Sequence, residues 1–121
     1  MDKAGKDYIL HPMKVASYMD TDTEKAVAYL HDVLEDTNVT EDELRNMFSN
    51  EIVDTVIILT HRKDESYFEY ISRVSTSKLA KKIKVADLLH NLDITRIKEP
   101  TKQDYQRLEK YKKAILYLAT H

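Results

Sequence analysis

A chain of 121 residues and 14.2 kDa has material for one hydrophobic core and not for two, so a single domain spanning 1–121 is expected. Its 19 Lys and Arg against 21 Asp and Glu leave a formal charge of -2, without the basic footprint of a nucleic-acid binder. The absence of cysteine removes disulfides, thiolate nucleophiles and thiolate zinc sites. The start Met1-Asp2-Lys3-Ala4-Gly5-Lys6-Asp7 lacks the apolar stretch of a signal peptide. Runs such as Val56-Ile57-Ile58-Leu59 fall far short of the roughly 20 residues that cross a bilayer. A soluble cytoplasmic protein with no membrane partner is expected.

One Gly and two Pro argue for an all-α fold, because sheets need tight turns that recruit those residues. Hydrophobic spacing and capping chemistry predict helices over about 12–19, 23–36, 41–48, 50–60, 67–74, 77–96 and 102–119. The first opens at Tyr8-Ile9-Leu10-His11-Pro12, where Pro12 suits the first helical position and leaves His11 at the helix entrance. The second carries Val27, Leu30 and Leu34 at helical spacing. Capping boxes are expected at Thr40-Glu41-Asp42-Glu43 and Ser66-Tyr67-Phe68-Glu69. The polar segment 61–66 between them reads as a solvated loop rather than a binding element. Leu79, Ile83, Ala86 and Leu89 build the apolar face of the sixth stretch, and Thr101, after Pro100, starts the last helix with Leu108, Tyr111, Ile115 and Leu118 on one stripe.

The chemistry-bearing residues begin at His31-Asp32-Val33-Leu34-Glu35-Asp36. On a continuous helix, offsets of zero, one, four and five fall within an arc of about 140°, so three carboxylates would crowd the His31 imidazole on one side. That side interlocks with the apolar stripe and should be partly buried. Burying such acids without a cation would protonate them or destabilise the fold, and a divalent metal is the economical solution. A lone His-Asp pair carries nothing by itself. Asp87, one turn after Ile83 and one before Asn91, should point toward the core, and for that residue alone a bland partner, Lys84 or a backbone amide, outweighs a metal. His90 reads as packed or half-exposed. Taken together, two imidazoles and two carboxylates on separate helices make an N/O site suited to Mn2+, Fe2+, Co2+ or Zn2+.

At this point the chain resembles a family, the HD-domain phosphohydrolases, and within them the hydrolase domain of Rel/SpoT-type alarmone enzymes and their small stand-alone relatives. The resemblance rests on Tyr8-Ile9-Leu10-His11-Pro12 with Val15-Ala16, on His31-Asp32-Val33-Leu34-Glu35-Asp36-Thr37, and on Lys84-Val85-Ala86-Asp87 followed by His90-Asn91, in matching order over nearly the whole chain. It implies a compact multi-helix bundle with a metal site between helices. It implies His11, His31, Asp32 and Asp87 as ligands of one divalent ion, usually Mn2+, and Glu35 and Asp36 as the acidic pair beside the reacting phosphate. It also implies Lys3, Tyr8 and Asn91 as substrate contacts. The family's reaction removes pyrophosphate from the 3′ position of ppGpp or pppGpp, and a metal that acidifies water beside carboxylates that orient it or move its proton suits that chemistry.

Only ten residues precede His11, so the family's first helix is expected to be missing, and the apolar surface it would cover makes a homo-oligomer a possible outcome. A synthetase domain has no room in this length. Two further readings stay open: an HD phosphohydrolase acting on another nucleotide or phosphate ester, and a non-catalytic metal-stabilised regulatory domain.

Overall fold

The computed structural model describes residues 12–92 and 101–121, which contain helices and no strand. In chain order these are α1 (12–17), α2 (Asp22–Leu30), α3 (Val33–Asp36), α4 (Glu41–Met47), α5 (Asn50–Leu59), α6 (Tyr67–Val74), α7 (Lys78–Leu92) and α8 (Lys102–Thr120). The all-α expectation therefore holds across the described residues, and residues 93–96 of the expected sixth stretch lie outside them. No described helix is long and apolar enough to cross a membrane.

Hydroxyl side chains set the helix starts. Thr40 with Glu43, Ser66 with Glu69 and Thr101 with Asp104 form reciprocal capping boxes, each satisfying two amides that a helix start leaves open. Thr21 and Ser49 cap α2 and α5 in the simpler way, accepting from the amides of Glu24 and Ile52. Such caps are worth about 1 kcal/mol each.

The core gathers one face from each longer helix around α7, which packs against α2, α5, α6 and α8. Val15, Val27, Val53, Val56, Ile71, Val74, Ile83 and Leu118 are among its buried side chains. Within α7 the buried face runs through Ala80, Ile83, Asp87 and Leu88. Leu89, expected on that face, is instead 51 % exposed. It follows Asp87 by two residues, about 200° around the helix, so burying Asp87 turns Leu89 outward.

The expected helix over 23–36 is two helices. α2 ends at Leu30, His31 and Asp32 form a turn, and α3 restarts on the Asp32 carbonyl, which accepts from the amides of Glu35 and Asp36 at 3.1 and 2.9 Å. The cause is local. The His31 Nδ1–H donates to the Ala28 carbonyl at 2.6 Å, the acceptor that the Asp32 amide would use in an uninterrupted helix. The single-helix arc argued for His31, Asp32, Glu35 and Asp36 thus does not apply: His31 is buried, Asp32 half-buried, and Glu35 and Asp36 lie on the exposed side.

Segment 60–66 is tethered more firmly than a solvated loop. Arg73 of α6 donates to the Ile58 and Thr60 carbonyls at 2.8 and 2.9 Å, acceptors left open by the end of α5, and grips Glu65 through two nitrogens at 2.9 and 2.8 Å. Arg62, Lys63 and Asp64 are exposed, whereas His61 and Glu65 turn inward. The hydrogen bonds from Arg73 hold the Glu65 carboxyl down at about 2, from an ordinary 4.5. A carboxylate with a depressed folded pKa stabilises the fold above its unfolded value and loses that contribution as pH falls toward the folded one. Arg73→Met should therefore lower the thermal midpoint by several degrees at neutral pH. The gap to the parent protein should narrow as pH drops from 4.5 toward 2, as followed by circular dichroism melts.

Candidate metal centre and adjoining cleft

His31, Asp32 and Asp87 meet where the α2–α3 turn faces α7. The Nδ1 bond to Ala28 fixes the ring and its tautomer and aims Nε2 at two carboxylates, Asp32 Oδ2 at 3.1 Å and Asp87 Oδ1 at 3.3 Å. His31 is 2 % exposed and Asp87 3 %. Asp87 is engaged on every side: Oδ2 accepts from Lys84 Nζ at 2.8 Å, and Oδ1 accepts from Asn91 Nδ2 at 3.4 Å. One donor atom from each of His31, Asp32 and Asp87 lies within 4.8 Å of the other two. One imidazole nitrogen and two carboxylates, with no sulfur, fit a divalent ion of hard-to-intermediate character.

The electrostatics show what a cation does for this cluster. Burial alone would push the His31 pKa down, but hydrogen bonds and charge from Asp32 and Asp87 outweigh it and lift the value to about 10. Without a metal, a proton on Nε2 supplies the positive charge that the two acids require. The Lys84 ammonium is likewise held firmly charged, with Asp87 and the nearby Tyr70 and Tyr67 overcoming its burial.

Beside the cluster opens a cleft of about 280 Å³, lined by Glu35, His61, Tyr67, Tyr70, Lys84, Asn91, Lys110 and Tyr111. Its floor is a stack. Lys84 Nζ lies 5.1 Å from the Tyr70 ring centroid, His61 stacks on the same ring at 4.8 Å, and the Tyr70 hydroxyl is anchored on the Leu59 carbonyl at 2.6 Å. The His61 Nε2–H donates to the Glu65 carbonyl at 2.8 Å, so the Arg73 clamp also orients this ring. Glu35 reaches the cleft from α3. Partial burial and then Asp32 push its pKa up, while Lys84 and the main-chain N–H of His61 oppose the rise. A carboxylate between a buried ammonium and an acidic cluster is placed to take up or hold a proton.

Of the expected ligands, the structure brings His31, Asp32 and Asp87 together, whereas His11 lies outside the described residues with Lys3 and Tyr8. Asn91 is beside the cluster and lines the cleft. Glu35 lines it too; Asp36 is exposed and is not among the lining residues. His90 is half-buried, next to the cluster in sequence but not part of it. Lys84, weighed as the bland partner of Asp87, is that partner and a wall of the cleft as well. His61, Tyr67, Lys110 and Tyr111 were not legible as site residues. They sit one on a loop, one at a helix start and two on the last helix, and no local spacing links them to the His-Asp motif.

Fold and cluster together are those of an HD-like all-helical domain. The chain matches no family profile. Its similarity to individual proteins is clear. A Mycobacterium leprae protein named probable GTP pyrophosphokinase is 33 % identical over 115 residues, covering 84 % of this chain and 14 % of its own length. A Borreliella burgdorferi protein named guanosine-3′,5′-bis(diphosphate) 3′-pyrophosphohydrolase is 32 % identical over 118 residues, covering 84 % and 18 %. The Xenopus tropicalis protein named guanosine-3′,5′-bis(diphosphate) 3′-pyrophosphohydrolase MESH1 is 31 % identical over 115 residues, covering 86 % and 64 %. The chain thus spans under a fifth of the two bacterial relatives and a little under two thirds of the frog protein. The resemblance to the Rel/SpoT-type hydrolases runs over most of the chain, well beyond the His-Asp motifs that first suggest it.

A bound ion must displace the His31 proton. Calorimetric Mn2+ titrations in buffers of different ionisation enthalpy should report release of about one proton per ion near neutral pH, with affinity rising as pH climbs toward 10. Binding without proton release would place the ion elsewhere. Asp87→Ala is a poor probe, because it strands half-buried Lys84, at a cost on the order of 3 kcal/mol. Asp32→Asn is the cleaner one: it should weaken Mn2+ binding, and because His31 keeps Asp87 and Lys84 keeps its partner, the metal-free protein should lose less stability than Asp87→Ala does.

Proposed function

We propose that this chain is a metal-dependent phosphohydrolase that removes the 3′-pyrophosphate of ppGpp or pppGpp, giving GDP or GTP and pyrophosphate. The observation that carries the reading is the convergence of His31, Asp32 and Asp87 beside a cleft lined by Lys84 and Glu35. The similarity to proteins named as hydrolases of this nucleotide supports the substrate. His31, Asp32 and Asp87 would hold the ion, with His11 as a fourth ligand and Mn2+ as the favoured metal. When bound, that ion supplies Lewis-acid charge and acidifies water at neutral pH.

The chain's own groups do the rest. Lys84 offers a fixed positive charge to phosphate oxygens while steadying Asp87. Glu35, its pKa raised, takes the proton of the attacking water as the water oxygen joins the phosphorus next to the ribose. The bond from that phosphorus to the 3′ oxygen then breaks, and the 3′ oxygen leaves with a proton. Asp36, one residue further along α3, would assist that transfer. Asn91, held by Asp87, contacts the ribose, and Lys3 and Tyr8 are proposed to meet the nucleotide from the N-terminal segment.

Incubation of the Mn2+-loaded protein with ppGpp tests this. GDP and pyrophosphate appearing in equal amounts are expected; orthophosphate release from other esters would move the assignment to a different HD phosphohydrolase, and no turnover with metal bound would make the domain regulatory. Glu35→Gln keeps the size and hydrogen-bonding reach of the side chain but cannot take the proton. It should lower kcat about 10²–10⁴-fold with metal content and KM near those of the parent protein.

A further inference from the structure

The Tyr67 hydroxyl is a buried polar group with no hydrogen-bond partner. An unsatisfied buried hydroxyl costs about 1–3 kcal/mol. Phenylalanine would fill the same space without that penalty, so packing alone does not account for the oxygen. The ring is well housed, edge-on to His61 at 6.3 Å and to Phe68 at 6.1 Å, and inclined to Tyr70 at 6.1 Å. Burial lifts the phenol to about 12, so at neutral pH the group is an O–H donor and not a phenolate.

Its surroundings give that donor a target. The cleft and the adjoining cluster present two kinds of group. Glu35 in the lining, with Asp32 and Asp87 in the adjoining cluster, supplies acceptors suited to a cation and to protons. Tyr67, Lys84, Lys110 and Asn91 in the same lining supply donors and positive charge. A ligand that satisfies both is a multiply charged oxyanion, bound to a cation at one end and to hydrogen-bond donors at the other. The Lys110 ammonium rests 4.5 Å from the Tyr67 ring centroid. Lys110 is exposed, so its ammonium can swing from the ring toward an incoming anion.

We propose that Tyr67, with Lys110 laid across its ring, is a phosphate-contacting subsite whose hydroxyl donates to a pyrophosphate oxygen of the nucleotide. The proposal rests on the phosphohydrolase reading for its substrate class but is tested without turnover. Inorganic pyrophosphate is titrated calorimetrically into the Mn2+-loaded parent protein, Tyr67→Phe and Lys110→Met, with Mn2+ affinity and melting temperature measured for each. Loss of one hydrogen bond to a charged group, worth about 1.5–3 kcal/mol, should weaken pyrophosphate binding by Tyr67→Phe about 10-fold or more. Its Mn2+ affinity should be unchanged and its melting temperature equal to or above that of the parent, because the unsatisfied oxygen is gone. Lys110→Met should weaken binding as well. Equal pyrophosphate affinity in Tyr67→Phe, a fall in its melting temperature with affinity intact, or no pyrophosphate binding by the parent would each overturn the proposal. If pyrophosphate binds through Tyr67 while ppGpp is not hydrolysed, the hydrolase reading fails and the subsite stands.

Discussion

Asp87 is a carboxylate removed from water in the middle of α7 and shared between an ammonium and an imidazole. An acid so buried is tolerated only when its charge is met on more than one side. Lys84 meets it within the helix and His31 meets it from across the bundle. That requirement fixes the rotation of α7, sending Leu88 into the core and Leu89 into solvent. It also fixes where the α2–α3 turn must sit. With His31 protonated, the four groups His31, Asp32, Lys84 and Asp87 are formally neutral. A dication in place of that proton leaves one positive charge in excess, so the same cluster that binds a cation becomes attractive to a phosphate.

The turn at His31 and Asp32 is the second half of the arrangement. An imidazole that claims the Ala28 carbonyl gives up helical continuity, and in return Nε2 is locked toward Asp87 while the Asp32 carboxylate swings to the same point. On a straight helix these two neighbours would diverge by about 100°. The short α3 that follows then lays Glu35 along the cleft. The Arg73 clamp supports a further part of the lining by holding segment 60–66 on the end of α5, where His61 stacks on Tyr70. Helix ends supply His31, Asp32, His61 and Tyr67, and helix faces supply Tyr70, Lys84, Asp87, Lys110 and Tyr111.

Much of this was legible in the residue order. Scarcity of Gly and Pro gave an all-helical fold, and Thr40, Ser66 and Thr101 marked three helix starts through side-chain chemistry that acts over three residues. Asp87 was recognisable as a buried acid in need of a partner because its position on an apolar helix is a local fact. The break after Leu30 was not legible, since it depends on a side chain taking a backbone acceptor, which periodicity does not register. The rest of the cleft lining was equally hidden. His61, Tyr67, Lys110 and Tyr111 come together only when α8 packs on α6 and α7, and nothing in their local spacing records that packing.

The central claim is that the His31, Asp32 and Asp87 side chains form one cation site. Anomalous diffraction from crystals of the full chain grown with Mn2+ tests it most directly. The account predicts a strong anomalous peak between His31 Nε2 and the carboxylates of Asp32 and Asp87, with the Lys84 bond to Asp87 retained. Well-ordered density showing His31 still bonded to both acids, with no peak between them, would contradict it.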